Sequence, residues 1–337
     1  MKPLRAVTAR LPGLGLCGCI AGAGYLMQAA ELRATGRPWI EALVLSILIG
    51  TAVRTAWTPG KAWMPGIKFS AKQLLEVAVV LLGASVSAAT VLAAGWRLLA
   101  CIVVIVTGTI VLSFTIGRLL GLSKRLAILV ACGNSICGNS AIVAVASVIG
   151  ADGDEVASSI AFTAVLGVIV VLTLPLIGAA LHMSDLGYGA LAGLTVYAVP
   201  QVLAAAAPAG AKAVQMGTLV KLARVVMLGP ACLAVSLFSK DLCEESSRPP
   251  LHQLVPWFII GFLAMVALRS ADLIPVGMQP RLAAAATLLT VASMAALGLG
   301  VDVRTVSKAG RAVTITVILS LLALGSVSFL AVRLLGL

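Results

Sequence analysis

The chain has 337 residues, of which 61% are hydrophobic and 11% charged, with a formal net charge of +12 and a mean hydropathy of +1.11. A chain this apolar cannot stay dispersed in water as a soluble domain of its length, which excludes that class. The positive charge is scattered through short connections rather than gathered on one polar face, which excludes a nucleic-acid partner and leaves the lipid bilayer as the medium.

Eleven windows of mostly apolar residues, each long enough to cross a hydrocarbon layer, follow one another at 11–29, 39–56, 72–92, 97–117, 125–149, 155–180, 187–206, 211–238, 253–269, 281–300 and 311–333. The expected fold is an all-α polytopic membrane protein of about 11 transmembrane helices, forming a single integral membrane domain over 1–337. The longest polar interval, Ser239 to His252, is a short linker containing Pro249 and Pro250.

The basic start followed by Leu11 to Met27 also fits a cleaved signal peptide, with Ala21-Gly22-Ala23 at the cut. The apolar stretch is longer than a typical signal core, which favours a retained first span. With eleven spans, the side holding the N-terminus carries 15 Lys and Arg and the opposite side seven. The positive-inside rule then puts the N-terminus in the cytoplasm and the C-terminus outside. The acidic turn Asp152, Asp154, Glu155 falls on the outer side.

In the third window, Pro65-Gly66-Ile67-Lys68-Phe69 reads as an entering turn. Lys72 and Glu76 read as an i, i+4 pair at the membrane edge. An internal echo, L-G-x-x-V-x-x-x-T-V-x-x-A-G, fits Leu82 to Gly95 and Leu297 to Gly310 and agrees at seven of fourteen positions. The copies end spans of opposite parity, as inverted repeats do.

The fifth window holds the densest polar signal, C-G-N-S-I-C-G-N-S-A at Cys132 to Ala141. Lipid offers no hydrogen-bond partners, so a polar, glycine-bearing patch at membrane depth marks a broken helix lining an enclosed site. Gly133 and Gly138 let the backbone leave helical geometry. Asn134, Ser135, Asn139 and Ser140 supply polar lining, while small-residue helix packing is the plainer alternative. Freed amides would attract anions and freed carbonyls cations.

Span seven carries Tyr197, Pro200 and Gln201, a proline kink that releases a carbonyl beside an amide side chain. Span eight carries Thr218, Lys221 and Arg224 at three-residue spacing, within a sector of about 120° on one helix face. Starting from Lys212, the two cations sit about 13 to 18 Å into a core about 30 Å thick, too deep to snorkel easily. Cations at that depth face a pathway, a counter-ion or an anionic solute. A guanidinium fork with a mobile ammonium suits a small oxyanion or carboxylate.

Cys17, Cys19, Cys101, Cys132, Cys137 and Cys232 lie in apolar spans and only Cys243 in a loop, so no disulfide framework is expected. Cys132 and Cys137 lack neighbouring His or acidic ligands, and His182 and His252 fall in connections, so no metal or other cofactor is expected. Asp302, near Arg304 and Lys308, reads as a loop salt bridge. No paired aspartates, H-E-x-x-H or Ser with a His base point to an enzyme, and no P-loop motif points to direct ATP drive.

At these same residues the chain resembles the YeiH-type sulfate exporter family, grouped with the cation/proton antiporters and anion transporters. The resemblance covers most of the chain. It is carried by P-G-I-K-F with the following L-L-G at Pro65 to Gly83, S-I-C-G-N-S-A at Ser135 to Ala141, P-Q-V-L-A-A at Pro200 to Ala205, V-K-L-A-R-V at Val220 to Val225, and A-L-G-L-G-V-D at Ala296 to Asp302. It implies an inner-membrane protein with two inverted repeats, about 39–180 and about 187–333 around the linker 239–252, with crossing discontinuous helices and alternating access. One departure bears on coupling: Val196-Tyr197-Ala198-Val199-Pro200 stands where relatives approach the Gln-Val segment through a His-Asp pair, so a proton-linked role there is not carried over.

The expectation is therefore a secondary transporter of a small anion, such as sulfate or a related oxyanion or sulfonate. Lys221, Arg224 and Thr218 would serve as its charged face, and Asn134, Ser135, Asn139, Ser140 and Gln201 as polar lining. The alternative is a sodium- or proton-coupled carrier of another small organic solute. Na+ or H+ as coupling ion and a homo-oligomeric state stay open.

Overall fold

The computed structural model describes residues 9–35, 41–85, 88–238, 257–301 and 311–337. Asp302 and the linker at 239–252, with Cys243 and His252, lie outside the described residues. Among the described residues each of the eleven apolar windows overlaps helix, and no strand occurs. Among the described residues six helical stretches are, by length and composition, long and apolar enough to cross a membrane. Others are shorter or interrupted.

The chain forms two compact units, each drawing on both halves of the sequence: Met1–Ala88 with Ile260–Arg304, and Ala89–Ile259 with Thr305–Leu337. In the first, α1 (Leu11–Thr35) and α2 (Ala42–Ala56) precede a third span that stays helical but widens through a π-helical turn. Its parts are α3 (Met64–Phe69), a π-helical turn at Ser70–Leu74 and α4 (Leu75–Leu82). Pro65 sits in the first turn of α3, where its missing N–H costs nothing. The unit is completed by most of α13 (Trp257–Ser270) and by α14 (Gln279–Gly300).

Without a hydrophobic drive between helices in lipid, small residues that let backbones approach must supply the packing. Gly50 of α2 and Gly298 of α14 do this: a Cβ on Gly50 would come within 3.1 Å of the Gly298 Cα, and one on Gly298 within 2.9 Å of the Thr51 nitrogen. Gly13 of α1 and Gly66 of α3 meet in the same way. Cys17, Ile20, Ile67, Ala295, Ala296 and Leu299 form the enclosed apolar cluster. Gly83 and Gly298, matched in the internal echo, are both close-approach positions, Gly83 against Phe262.

The second unit begins with α5 (Ala88–Leu119), which breaks at Gly95 with φ of 66°. Next come α6 (Lys124–Cys132), a π-helical turn at Gly133–Cys137 and α7 (Asn139–Ile149). Ser123 caps α6 by accepting from the Leu126 N–H at 3.1 Å. The long α8 (Gly153–Ala180) leads to α9 (Asp185–Thr195) and α10 (Val199–Ala206). After a one-turn 3-10 segment come α11 (Ala211–Val226), α12 (Leu228–Phe238) and, later in the chain, α15 (Arg311–Leu334).

The fifth window is thus an interrupted helix, as its Gly-Asn-Ser stretch predicts, and the seventh is broken outright at 196–198 rather than kinked at Pro200. Between α9 and α11 a second small-residue seam forms. A Cβ on Gly193 would lie 2.5 Å from the Gly217 oxygen and 2.7 Å from the Val220 Cβ, and one on Gly189 2.8 Å from the Ala213 Cα. Gly189-x3-Gly193 and Ala213-x3-Gly217 are therefore a small-xxx-small pair, and it holds the cationic stretch of α11 against the end of α9.

Candidate functional site

Two helix breaks meet in the second unit. In the first, Gly138 takes φ of 65° and ψ of −127° between the π turn and α7. That is left-handed backbone, which a residue without Cβ adopts freely. Its N–H closes on the Gly133 oxygen at 2.9 Å. In the second, Val196 and Ala198 are extended between α9 and α10. Pro200 lies in the first turn of α10, so it starts a helix rather than kinking one. The breaks touch: a Cβ on Gly138 would lie 3.1 Å from the Tyr197 Cβ.

A broken helix exposes main-chain carbonyls at the end of its first half and amides at the start of its second. The carbonyls are covered by Lys221 and Arg224, whose side chains are completely buried. Arg224 donates from Nε to the Ser135 oxygen (3.2 Å) and from one terminal nitrogen to the oxygens of Gly193 (2.8 Å) and Val196 (3.3 Å). Its other terminal nitrogen donates to Asn134 (3.2 Å) and Ser135 (2.9 Å). Those five bonds use all five guanidinium donors.

Lys221 Nζ donates to the Ile136 oxygen at 2.7 Å and the Val196 oxygen at 2.9 Å. An ammonium has three donors, so one is unspent. Both cations therefore bind the negative ends of two half-helices, each equivalent to about half an elementary charge. No Asp or Glu occurs between residues 126 and 151 or between 186 and 240.

The remaining candidates take up distinct positions. Asn134 is buried; its Oδ1 accepts from the Tyr197 hydroxyl at 2.8 Å, and its Nδ2 faces the Val317 oxygen of α15 at 3.4 Å. Ser135 is buried, and its Oγ has no hydrogen-bond partner among the described residues. Asn139 and Ser140 open α7 and are exposed, with Asn139 Oδ1 accepting from Thr163 Oγ1 of α8 at 2.6 Å.

Gln201 is buried, and its Oε1 accepts from the Ala198 N–H at 3.2 Å, which caps α10. Gly167 of α8 makes room for it, since a Cβ there would reach within 2.8 Å of that oxygen. Thr218 is buried on the cation face but bonds back to the Val214 oxygen of its own helix at 2.7 Å. The structure thus brings Lys221, Arg224, Asn134 and Ser135 together through hydrogen bonds. It gives Thr218 no bond to them.

Sequence reasoning missed the main-chain acceptors at Gly193, Val196 and Ile136, and the hydroxyl bond from Tyr197 to Asn134. Tyr197 carried a signal, as an aromatic beside a proline kink; a carbonyl has none. Among the described residues no group of His, Cys, Asp and Glu is arranged to hold a metal, and the six described cysteines are unpaired.

A family model described as Conserved hypothetical protein 698 matches residues 12–317. A UPF0324 membrane protein of Brucella melitensis is 58% identical, over 97% of this chain and 91% of its own length. One of Bradyrhizobium diazoefficiens is 53% identical over 98% and 96%, and one of Bacillus cereus 35% identical over 96% and 94%. With a match across nearly the whole chain, a multi-pass helical fold and two interrupted spans, the protein belongs to the UPF0324 membrane protein family, the one described as Conserved hypothetical protein 698.

Proposed function

We propose that this chain is a secondary transporter of a small anion, with its binding site where the two interrupted helices meet. The observation that carries the reading is the charge balance there. Two half-helix carboxyl ends contribute roughly −1 together and lie under two buried cations. The amino ends of α7 and α10 add positive potential, and the sequence has no carboxylate between residues 126 and 151 or between 186 and 240 to cancel it. A solute anion would complete the balance.

Interrupted helices meeting at membrane depth are the way alternating-access carriers build such sites. The resemblance to the YeiH-type sulfate exporters narrows the solute to sulfate, a related oxyanion or a sulfonate. The basic bias of the connections supports a cytoplasmic N-terminus in an inner membrane. A sodium- or proton-coupled carrier of another solute is the competing reading. It is weakened by the absence of any carboxylate between residues 126 and 151 or between 186 and 240, where the helices break, since uptake of a cation there would call for one.

The test is flux of radiolabelled sulfate into proteoliposomes against protein-free liposomes, with unlabelled sulfate, methanesulfonate or chloride inside. Uptake accelerated by an internal oxyanion supports the reading. Uptake equal to that of empty liposomes for every anion tried, with a sodium-dependent organic solute moving instead, overturns it.

A further inference from the structure

The two buried cations differ in what they have left to give. Arg224 spends its five donors on four main-chain oxygens, those of Asn134, Ser135, Gly193 and Val196. Nothing remains for a solute unless the break itself opens. Lys221 spends two of three, on Ile136 and Val196. On the same π turn Ser135 carries a hydroxyl that is buried and unpartnered. Its residue is adjacent to Ile136, whose oxygen Lys221 holds at 2.7 Å. A buried donor without an acceptor is costly, so an unspent ammonium N–H held on Ile136 and an unpartnered hydroxyl on the residue before it mark a place where an acceptor binds.

We infer that Lys221 and Ser135 form an oxyanion subsite, Lys221 giving its third ammonium N–H and Ser135 its hydroxyl to an oxygen of the solute, while Arg224 is a positioning residue that holds the two breaks together. This rests on the anion-carrier reading and divides the labour within it. The ammonium is the suitable member for a transient ligand, because a mobile point charge releases a solute more readily than a bidentate fork. Thr218, one turn before Lys221, is no part of the subsite, since its hydroxyl is taken by Val214.

The experiment is a binding titration of the purified full chain with sodium sulfate and with sodium methanesulfonate, read by thermal shift. Sodium gluconate at equal ionic strength is the blank, and proteoliposome flux is run in parallel. Ser135→Ala removes only an oxygen and should raise the sulfate Kd ~10-fold, as expected for a hydrogen bond to a charged group. Lys221→Gln should abolish the sulfate-specific shift. Arg224→Lys should lower the unfolding temperature of the unliganded protein yet keep a sulfate-specific shift.

Wild-type Kd values in both Ser135→Ala and Lys221→Gln would overturn the subsite and leave the carrier reading standing. So would an Arg224→Lys protein of wild-type thermal stability that has lost its response to sulfate. A wild-type protein that neither binds nor moves any of the anions overturns the carrier reading and the subsite with it. Should Lys221→Gln fail to fold, the Ser135→Ala titration decides alone.

Discussion

Lys221 and Arg224 share one acceptor, the carbonyl oxygen of Val196, at 2.9 and 3.3 Å. Like charges held on a single oxygen repel, and the arrangement survives because both are also anchored on the π turn across the break. Replacing Arg224 by Ala strips the oxygens of Asn134, Ser135 and Gly193 of the guanidinium donors that cover them at a buried position. The expected cost is about 3 kcal/mol or more. It is measurable as a large fall in unfolding temperature in detergent, with Arg224→Lys falling between the two.

Gly138 and Gly150 flank α7, both with positive φ, but only one is crowded. Gly138→Ala places a Cβ 3.1 Å from Tyr197 in addition to the backbone strain, whereas nothing lies within 4 Å of a Cβ at Gly150. Gly150→Ala is expected to lose about 1 kcal/mol. Gly138→Ala should lose more and also reduce transport, because it pushes the breaks apart. Equal thermal shifts and equal flux for the two variants would contradict this.

Tyr197→Phe deletes the donor to Asn134 Oδ1 and leaves that oxygen buried. A loss of about 1 to 3 kcal/mol follows. In a double-mutant cycle with Asn134→Ala the second change should cost less than it does alone, because the stranded acceptor has gone with it. Additive unfolding shifts would show that the bond carries no weight.

The α9–α11 seam gives a fourth test. Gly193→Ala must move Gly217 or Val220, since its Cβ would lie 2.5 and 2.7 Å from them. Widening this seam draws Arg224 off the Gly193 oxygen. Thermal stability and sulfate uptake should therefore both fall. A Gly210→Ala control, with open space at its Cβ, should show only the backbone strain of its positive φ.

The spans were legible in the sequence because hydropathy depends on composition alone, and all eleven windows meet helix. The interruption at 132–141 was legible for the same reason: Gly and Asn cannot sit in lipid without a use. The repeated C-G-N-S did not reveal that its copies differ. Asn134 and Ser135 enter a π turn and are buried, while Asn139 and Ser140 begin a helix and are exposed. One backbone torsion at Gly138 separates these fates, and a local motif does not encode it. The π turn at Ser70–Leu74 left no trace at all in an amphipathic, glycine-free stretch. The burial of Lys221 and Arg224 followed from their depth, but not their partners, because every acceptor is main chain.

That choice of acceptor has an evolutionary side. A peptide oxygen cannot be deleted by a point mutation, so Ile136 and Val196, which meet the cations through their carbonyls alone, can each drift in identity and still serve them, provided the path of the chain is kept. The donors have no such insurance. In a saturation library, intolerance at this crossing should therefore concentrate on two codons of α11 and on the glycines that shape the bends and the seam, with Ile136 and Val196 comparatively permissive.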